Sequence, residues 1–278
     1  MRKSLVALSV LAATALPSVV NAADYSDDIH KNDYKWMNFN LMYALGELPR
    51  PDGAHSGHDY LEMEFGGRSG IFDLYGYVDV FNLTNRDSSD KYQKEKIFMK
   101  FAPRISLDAL TGKDLSFGPV QELYIATLFN WGGGYTVDGF DPNKGAFDPV
   151  NNYFVGIGSD VNVPWLGKVG LNLYSLYDMN NKDWNGYQIS TNWFKPFYTF
   201  ANGSFLSYQG YIDYQFGMKK KYSSASNGGA MFNGLYWHSE RFAVGYGLKA
   251  YYNVYGIKDT SSLETTGVSH YFDITYKF

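Results

Sequence analysis

The chain ends on a strand, and that strand constrains everything before it. Val268 to Phe278 reads V-S-H-Y-F-D-I-T-Y-K-F. Val268, Phe272, Ile274, Tyr276 and Phe278 fall on one face; Ser269, Tyr271, Asp273, Thr275 and Lys277 fall on the other. Period two is the side-chain repeat of a β-strand. In water, an apolar strand with a free edge is a template for aggregation. In a transmembrane barrel the same strand closes the sheet and turns its apolar face to lipid. The pattern recurs along the chain. The predicted fold class is therefore all-β: a transmembrane antiparallel β-barrel of the outer membrane type, with about twelve strands.

Twelve alternating segments can be placed: Lys35–Leu45, His58–Gly66, Ile71–Phe81, Lys96–Leu107, Val120–Trp131, Asn152–Val163, Lys168–Met179, Tyr187–Phe194, Leu206–Phe216, Met231–His238, Phe242–Val254 and Val268–Phe278. Met231–His238 has the weakest alternation, and Phe242–Val254 is expected to place Val254 outward. Connections after odd segments are polar and mostly long, such as Asn82–Glu95 and Gly132–Val150. Those after even segments are mostly short, such as Pro164–Gly167. Short turns on the periplasmic side and long loops outside are the usual asymmetry of these barrels. Asp108–Pro119 is the exception, long enough for a helical turn.

Residues 1–22 read as a secretory signal. Arg2 and Lys3 are the charged part, Leu5–Val20 the apolar part, and Val20-Asn21-Ala22 the small-residue cleavage site. Losing two basic residues moves the formal charge from -4 to about -6. Such a charge does not suit a nucleic-acid surface. Residues 23–34 form an expected N-terminal periplasmic segment. Its stretch Asp24–Asp33 is charged and unpatterned, and reads as a disordered tail sooner than as an insertion into the lumen. The barrel is expected over 35–278. The absence of cysteine excludes disulfides and thiolate-bound metal. Aromatic residues make up 18% of the chain, which fits girdles at two lipid–water interfaces.

If one face of each strand meets lipid, the other lines the interior. The second and third segments then send Tyr60, Glu62, Glu64, Asp73, Tyr75, Tyr77 and Asp79 inward. The fourth sends Lys96, Lys100 and Arg104, and the fifth Glu122 and Tyr124. Across the interior lie Asn152, Asp160, Asn172, Tyr174, Gln188, Asn192, Gln209, Tyr211, Asp213, Lys249 and Tyr251. An antiparallel register that opposes Asp73 to Arg104 also opposes Tyr77 to Lys100. A similar register across the next pair sets Arg104 beside Glu122. Together these predict a charged cluster of Glu64, Asp73, Arg104 and Glu122 near the periplasmic end. Paired charges and Tyr hydroxyls can simply fill a narrow interior without leaving polar groups unpaired. They can also line a pore in which Tyr faces stack on a planar base and carboxylates or amides bond ribose hydroxyls and base edges. Weak individual contacts suit a solute that must also leave.

The same residues carry a resemblance. Asp59–Glu64 (D-Y-L-E-M-E), Phe72–Asp79 (F-D-L-Y-G-Y-V-D), Phe98-Met99 with Pro103-Arg104, and the block Ser106–Tyr124 with its core D-L-S-F-G-P resemble the nucleoside-specific outer membrane channel family (Tsx-like). Trp184-Asn185-Gly186-Tyr187 resembles a later segment of that family less closely. Within the family, the chain is similar to the outer membrane protein K group. The resemblance implies a twelve-stranded monomeric barrel in the bacterial outer membrane, with a narrow nucleoside-permeable channel. It also implies phage attachment at the outer loops. Tyr60, Glu62, Glu64, Asp73, Tyr75, Tyr77, Asp79, Arg104, Glu122 and Tyr124 match the family pattern and, with Lys100, are the expected channel lining.

The function expected is passive diffusion of nucleosides or similar small polar solutes. No cofactor, metal or covalent chemistry enters. Outer membrane lipid, lipopolysaccharide and the solutes themselves are the expected partners. The rivals are a closed barrel acting as a surface receptor for phage, and a membrane-embedded hydrolase. For the hydrolase, His238-Ser239 supplies a Ser/His pair, but neighbours in a strand point to opposite faces and no third group orients the His. His55-x-x-His58-Asp59 is a weak metal motif on the first outer loop. Lys219, Lys220 and Lys221 read as a solvated charge run with lipopolysaccharide phosphates as the alternative. Asp141-Pro142-Asn143 and Asp148-Pro149-Val150 read as turns.

Overall fold

In a computed structural model, residues 23–51, 57–134 and 149–278 of the chain are described. They form twelve barrel crossings: β1 (Tyr34–Leu45), β2 (Gly57–Ser69), β3 (Phe72–Phe81), β4 in two pieces (Ile97–Phe101 and Arg104–Ser106), β5 (Val120–Gly133), β6 (Asn151–Val163), β7 (Gly167–Asp178), β8 (Asp183–Thr199), β9 (Phe205–Phe216), β10 (Asn227–His238), β11 (Phe242–Tyr252) and β12 (Gly267–Lys277). Each pairs antiparallel with its neighbours in sequence, and β12 pairs back onto β1. The sheet has no free edge, as lipid requires of a spanning sheet.

The closing seam is set by the terminal strand. Asn38 opposes Lys277 and Leu45 opposes His270. Phe278 donates its N–H to the Met37 carbonyl at 3.1 Å. Its ring stands edge-on to Phe39 with centroids 5.3 Å apart. On the outer face Leu41, Ile157 and Ile274 are 51%, 66% and 56% exposed. Large aliphatic side chains so open to their surroundings mark a surface built for lipid.

Departures from the expected segments have local causes. β4 breaks at Ala102-Pro103 because proline has no N–H for the ladder. The Pro103 carbonyl still accepts the Thr127 N–H at 3.1 Å and the Thr127 hydroxyl at 2.8 Å, so β5 bridges the break. β11 stops at Tyr252, and Val254 lies in a short 3₁₀ turn (Val254–Gly256). Val254 is buried there and does not face lipid. β2 continues to Ser69 instead of stopping at Gly66, and β8 reaches Thr199. The weakly patterned tenth segment is a full strand. The connection after β4 carries the expected helical turn, α1 (Leu107–Thr111). Ser106 Oγ accepts the Ala109 N–H at 3.0 Å, and Gly112 closes the turn at φ 63°.

The segment before β1 is not the free tail that its composition suggested. Asp33 accepts the Gly70 N–H at 2.8 Å. Further back, Tyr25 enters the interior and bonds Glu122 at 2.6 Å.

Candidate functional site

All eleven residues expected to line a channel face the barrel interior, and they fall at two levels. Asp73, Arg104, Glu122 and Tyr124 lie at the short-turn end. Tyr60, Glu62, Glu64, Tyr75, Tyr77, Asp79 and Lys100 lie nearer the long-loop end. The predicted facing pairs Asp73–Arg104 and Tyr77–Lys100 are present. The Arg104–Glu122 pair is not: Arg104 faces Ala126, and Tyr124 faces Ser106. A shift of four residues keeps every side chain on its own face, so alternation is blind to it.

The cluster at the short-turn end therefore has other members than expected. Glu64 is absent from it. Its hub is Arg68, which lies between the expected second and third segments and is a residue of β2. Arg68 donates to Glu122 at 2.9 Å, Asp73 at 3.1 Å, Tyr25 at 2.7 Å and the Tyr124 hydroxyl. Arg104 bonds Asp73 at 2.9 Å and Asp160 at 3.0 Å, and its guanidinium lies 3.9 Å from the Tyr124 ring centroid. Lys168 completes the chain at 3.2 Å from Asp160. Two arginines and a lysine thus meet three carboxylates, Asp73, Glu122 and Asp160. Charges taken out of water persist only when matched and hydrogen-bonded in this way.

The next level is different in kind. Glu62 on β2 opposes Asp79 on β3. Asn40 donates to Glu62 at 2.6 Å and to Glu64 at 3.4 Å. Tyr75 donates to Glu64 at 2.9 Å. No lysine or arginine pairs with Glu62, Glu64 or Asp79 among the described residues, and Asp79 Oδ1 and Asn40 Oδ1 are buried without a hydrogen-bond partner. Rings are interleaved with these acceptors: Tyr75 and Tyr77 lie 6.2 Å apart, and Tyr77 and Phe98 6.1 Å apart. Facing them, Tyr211 stacks on Phe232 at 5.8 Å. Lys249 lies 5.1 Å from the Tyr251 ring and 5.6 Å from the Tyr271 ring. Phe232 and Tyr236 lie flat against the wall because β11 has glycines beneath them. A Cβ on Gly247 would come within 2.2 Å of the Phe232 ring, and one on Gly245 within 2.1 Å of the Tyr236 ring.

The long-loop end carries residues that sequence reasoning did not single out. Lys91, from the Asn82–Glu95 loop, folds inward and meets Glu47 at 2.8 Å. Tyr271 donates to the other Glu47 oxygen at 3.0 Å. Burial alone would raise the Glu47 carboxyl, but Lys91, His58 and Lys249 around it outweigh burial and hold it well below the usual carboxylate range. His58, which opens the expected second segment and shares a weak metal motif with His55, is the second residue of β2, fully buried and bonded to Asp90 at 2.7 Å. His55 lies outside the described residues. Among the described residues no cluster could hold a metal ion.

One part of the interior is not polar at all. Ala126, Leu128, Phe154, Tyr174 and Leu176, inward on β5, β6 and β7, form one cluster at 0–2% exposure. Of these, only Tyr174 is among the inward residues expected from the sequence. Runs such as A-T-L-F hide an inward apolar residue, because both faces are apolar there.

The other motifs resolve as structure. His238 faces inward and bonds Ser207 at 2.8 Å, not Ser239, and it stacks on Phe205 at 4.5 Å. Ser207 is fully buried. Ser239 closes the β10–β11 turn through the Phe242 backbone. Lys219 and Lys221 both pair with Asp183, at 2.9 and 2.8 Å. Asp141 and Asp148 lie outside the described residues.

Comparison with known proteins agrees with this geometry. Residues 31–278 match the family model described as nucleoside-specific channel-forming protein, Tsx. The chain is 72% identical over 279 residues to outer membrane protein OmpK of Vibrio parahaemolyticus serotype O3:K6 (strain RIMD 2210633), covering 100% of both. It is 29% identical over 227 residues to the nucleoside-specific channel-forming protein Tsx of Klebsiella aerogenes, covering 78% of this chain and 73% of that one. The Tsx protein of Salmonella typhimurium (strain LT2) is 28% identical over the same length. A barrel closed by its terminal strand, with a lipid-facing outside and a polar, tyrosine-rich interior, thus belongs to the nucleoside-specific channel-forming (Tsx) family of outer membrane proteins.

Proposed function

We propose that the protein is an outer membrane channel, not an enzyme, through which nucleosides and similar small polar solutes diffuse passively. The observation that carries the reading is the wall made by Tyr60, Glu62, Glu64, Tyr75, Tyr77 and Asp79. Its carboxylates have no basic partner among the described residues, and buried acceptors there are left unpaired. A narrow interior that only needed filling would match its carboxylates with cations, as the Arg68–Arg104 level does. Unspent acceptors beside aromatic faces suit a solute that brings N–H and O–H donors on a flat ring. On this reading Tyr75, Tyr77 and Tyr211 stack on the base, and Glu62, Glu64 and Asp79 accept from base and ribose. The matched charges of Asp73, Lys100, Arg104 and Glu122, with the Tyr124 hydroxyl, hold the shape of the bore. Family membership and similarity to nucleoside-specific channel proteins support the substrate class.

The same reading makes residues 1–22 the export signal and residues 23–34 a periplasmic segment. It sets the short turns in the periplasm. The apolar belt then meets lipid, and the long loops lie among lipopolysaccharide, open to attaching phage. The test is uptake of labelled adenosine and thymidine into vesicles that hold the refolded protein, compared with Tyr77→Ala. Uptake faster than that of a sugar of similar size, and reduced by Tyr77→Ala, is expected. Equal rates for nucleoside and sugar would refute the selective channel.

A further inference from the structure

Lys100 stands on β4 and Asp213 on β9, five strands apart in a barrel of twelve, yet their side chains meet at 2.8 Å. The pair is a chord across the interior. Asp213 is braced from behind, because Ser190 Oγ and Gln188 Nε2 both donate to its other oxygen. Gln188 is held in turn by Gln215 at 3.0 Å. Lys100 lies along the Tyr211 ring, 5.5 Å from its centroid.

The chord has β5–β8 on one side and β10–β12 with β1–β3 on the other. The second side has a buried cluster of its own toward the long loops, Met42, Ala44, Tyr60, Phe81 and Tyr271, but at the level of the chord the two sides differ. Leu128, Phe154 and Leu176 point into the barrel on the first side, yet they are 0–1% exposed. A leucine on the wall of a water-filled bore keeps far more of its surface open. These residues pack on one another and on Ala102, so that space is filled by side chains. On the second side Glu62, Glu64, Tyr75 and Tyr77 keep part of their surface open. We infer that the Lys100–Asp213 pair is the inner wall of the bore, separating the packed apolar cluster on β5–β7 from the solvated side, so that it sets the cross-section a solute must fit. The pair is thereby a size-determining element of the channel proposed above, and the inference rests on that reading.

The chain has no cysteine, so single introduced cysteines report accessibility without background. Glu64→Cys probes the solvated side and Leu128→Cys the packed side. Each full-length protein is refolded into bilayer vesicles, and folding is checked by mobility on an unboiled gel. It is then treated with a small charged methanethiosulfonate, and labelling is read by mass. Glu64→Cys should label about tenfold faster than Leu128→Cys or better, since reaction needs an exposed thiolate. In a Lys100→Met background, which keeps most of the stem and removes the charge, the gap should close to about threefold or less. Liposome swelling should then admit a larger sugar than the unaltered protein does. Equal labelling of the two cysteines in the unaltered background would overturn the inference. So would a folded Lys100→Met protein with the same labelling ratio and the same sugar limit. Labelling needs no nucleoside flux, so a failure of the nucleoside reading leaves this result independently readable.

Discussion

Replacing Arg68 by Met removes the hub of the charged cluster, and the structure says where the cost falls. The Arg68 side chain is 6% exposed and that of Glu122 4%. Of its partners, Asp73 keeps Arg104 at 2.9 Å, and Tyr124 keeps Asp160 at 3.1 Å. Among the described residues Glu122 keeps only the Tyr25 hydroxyl, at 2.6 Å. The loss is therefore mainly that of one buried carboxylate left without its cation, about 3–5 kcal/mol. Neutralising that carboxylate should recover much of it. Arg68→Met with Glu122→Gln should be more stable than Arg68→Met alone by about 2 kcal/mol, while Glu122→Gln alone is destabilising. Urea titration of the refolded barrel in vesicles measures all four corners of the cycle. A loss below about 1 kcal/mol for Arg68→Met would refute the reasoning, as would strict additivity of the pair.

Three further outcomes follow from the same geometry. Gly247→Ala should push the Phe232 ring off the wall and lower single-channel conductance with the barrel still folded, because its Cβ has no room beneath the ring. Tyr25→Phe should cost about 1 kcal/mol or less in the same urea assay, because Glu122 keeps Arg68. The Glu47 carboxyl is held below its unfolded value, so it adds stability above the ordinary carboxylate range and loses it only as pH falls further. Limited proteolysis of the Asn82–Glu95 loop should accordingly stay slow from pH 7 down to about 5 and quicken at more acidic pH, and Glu47→Gln should be fast throughout.

The barrel was legible because lipid imposes one chemistry on one face of every strand. In β12 that alternation is nearly unbroken, and the facing pairs Asp73–Arg104 and Tyr77–Lys100 followed from it. It failed where something other than lipid shaped the sequence. Gly66-Gly67 reads as a turn, but Gly66 is a strand residue beneath Trp36, whose ring would lie 2.7 Å from a Cβ there. Stopping β2 at Gly66 hid Arg68, although Glu62, Glu64, Gly66 and Arg68 continue one inward row. The Arg104–Glu122 error is a shift by an even number of residues, which no face pattern detects. Leu128, Phe154 and Leu176 escape the pattern because an interior is expected to be polar, and here part of it, on β5–β7, is packed as a core. The Lys100–Asp213 chord joins residues 113 positions apart across the interior, with no local signal to mark it.

The most direct test of the central claim is single-channel conductance of the refolded protein in a planar bilayer, titrated with adenosine, thymidine and a sugar of similar size. The account predicts a small conductance that nucleosides block and the sugar does not. An open pore with no block, or no conductance at all, would contradict it.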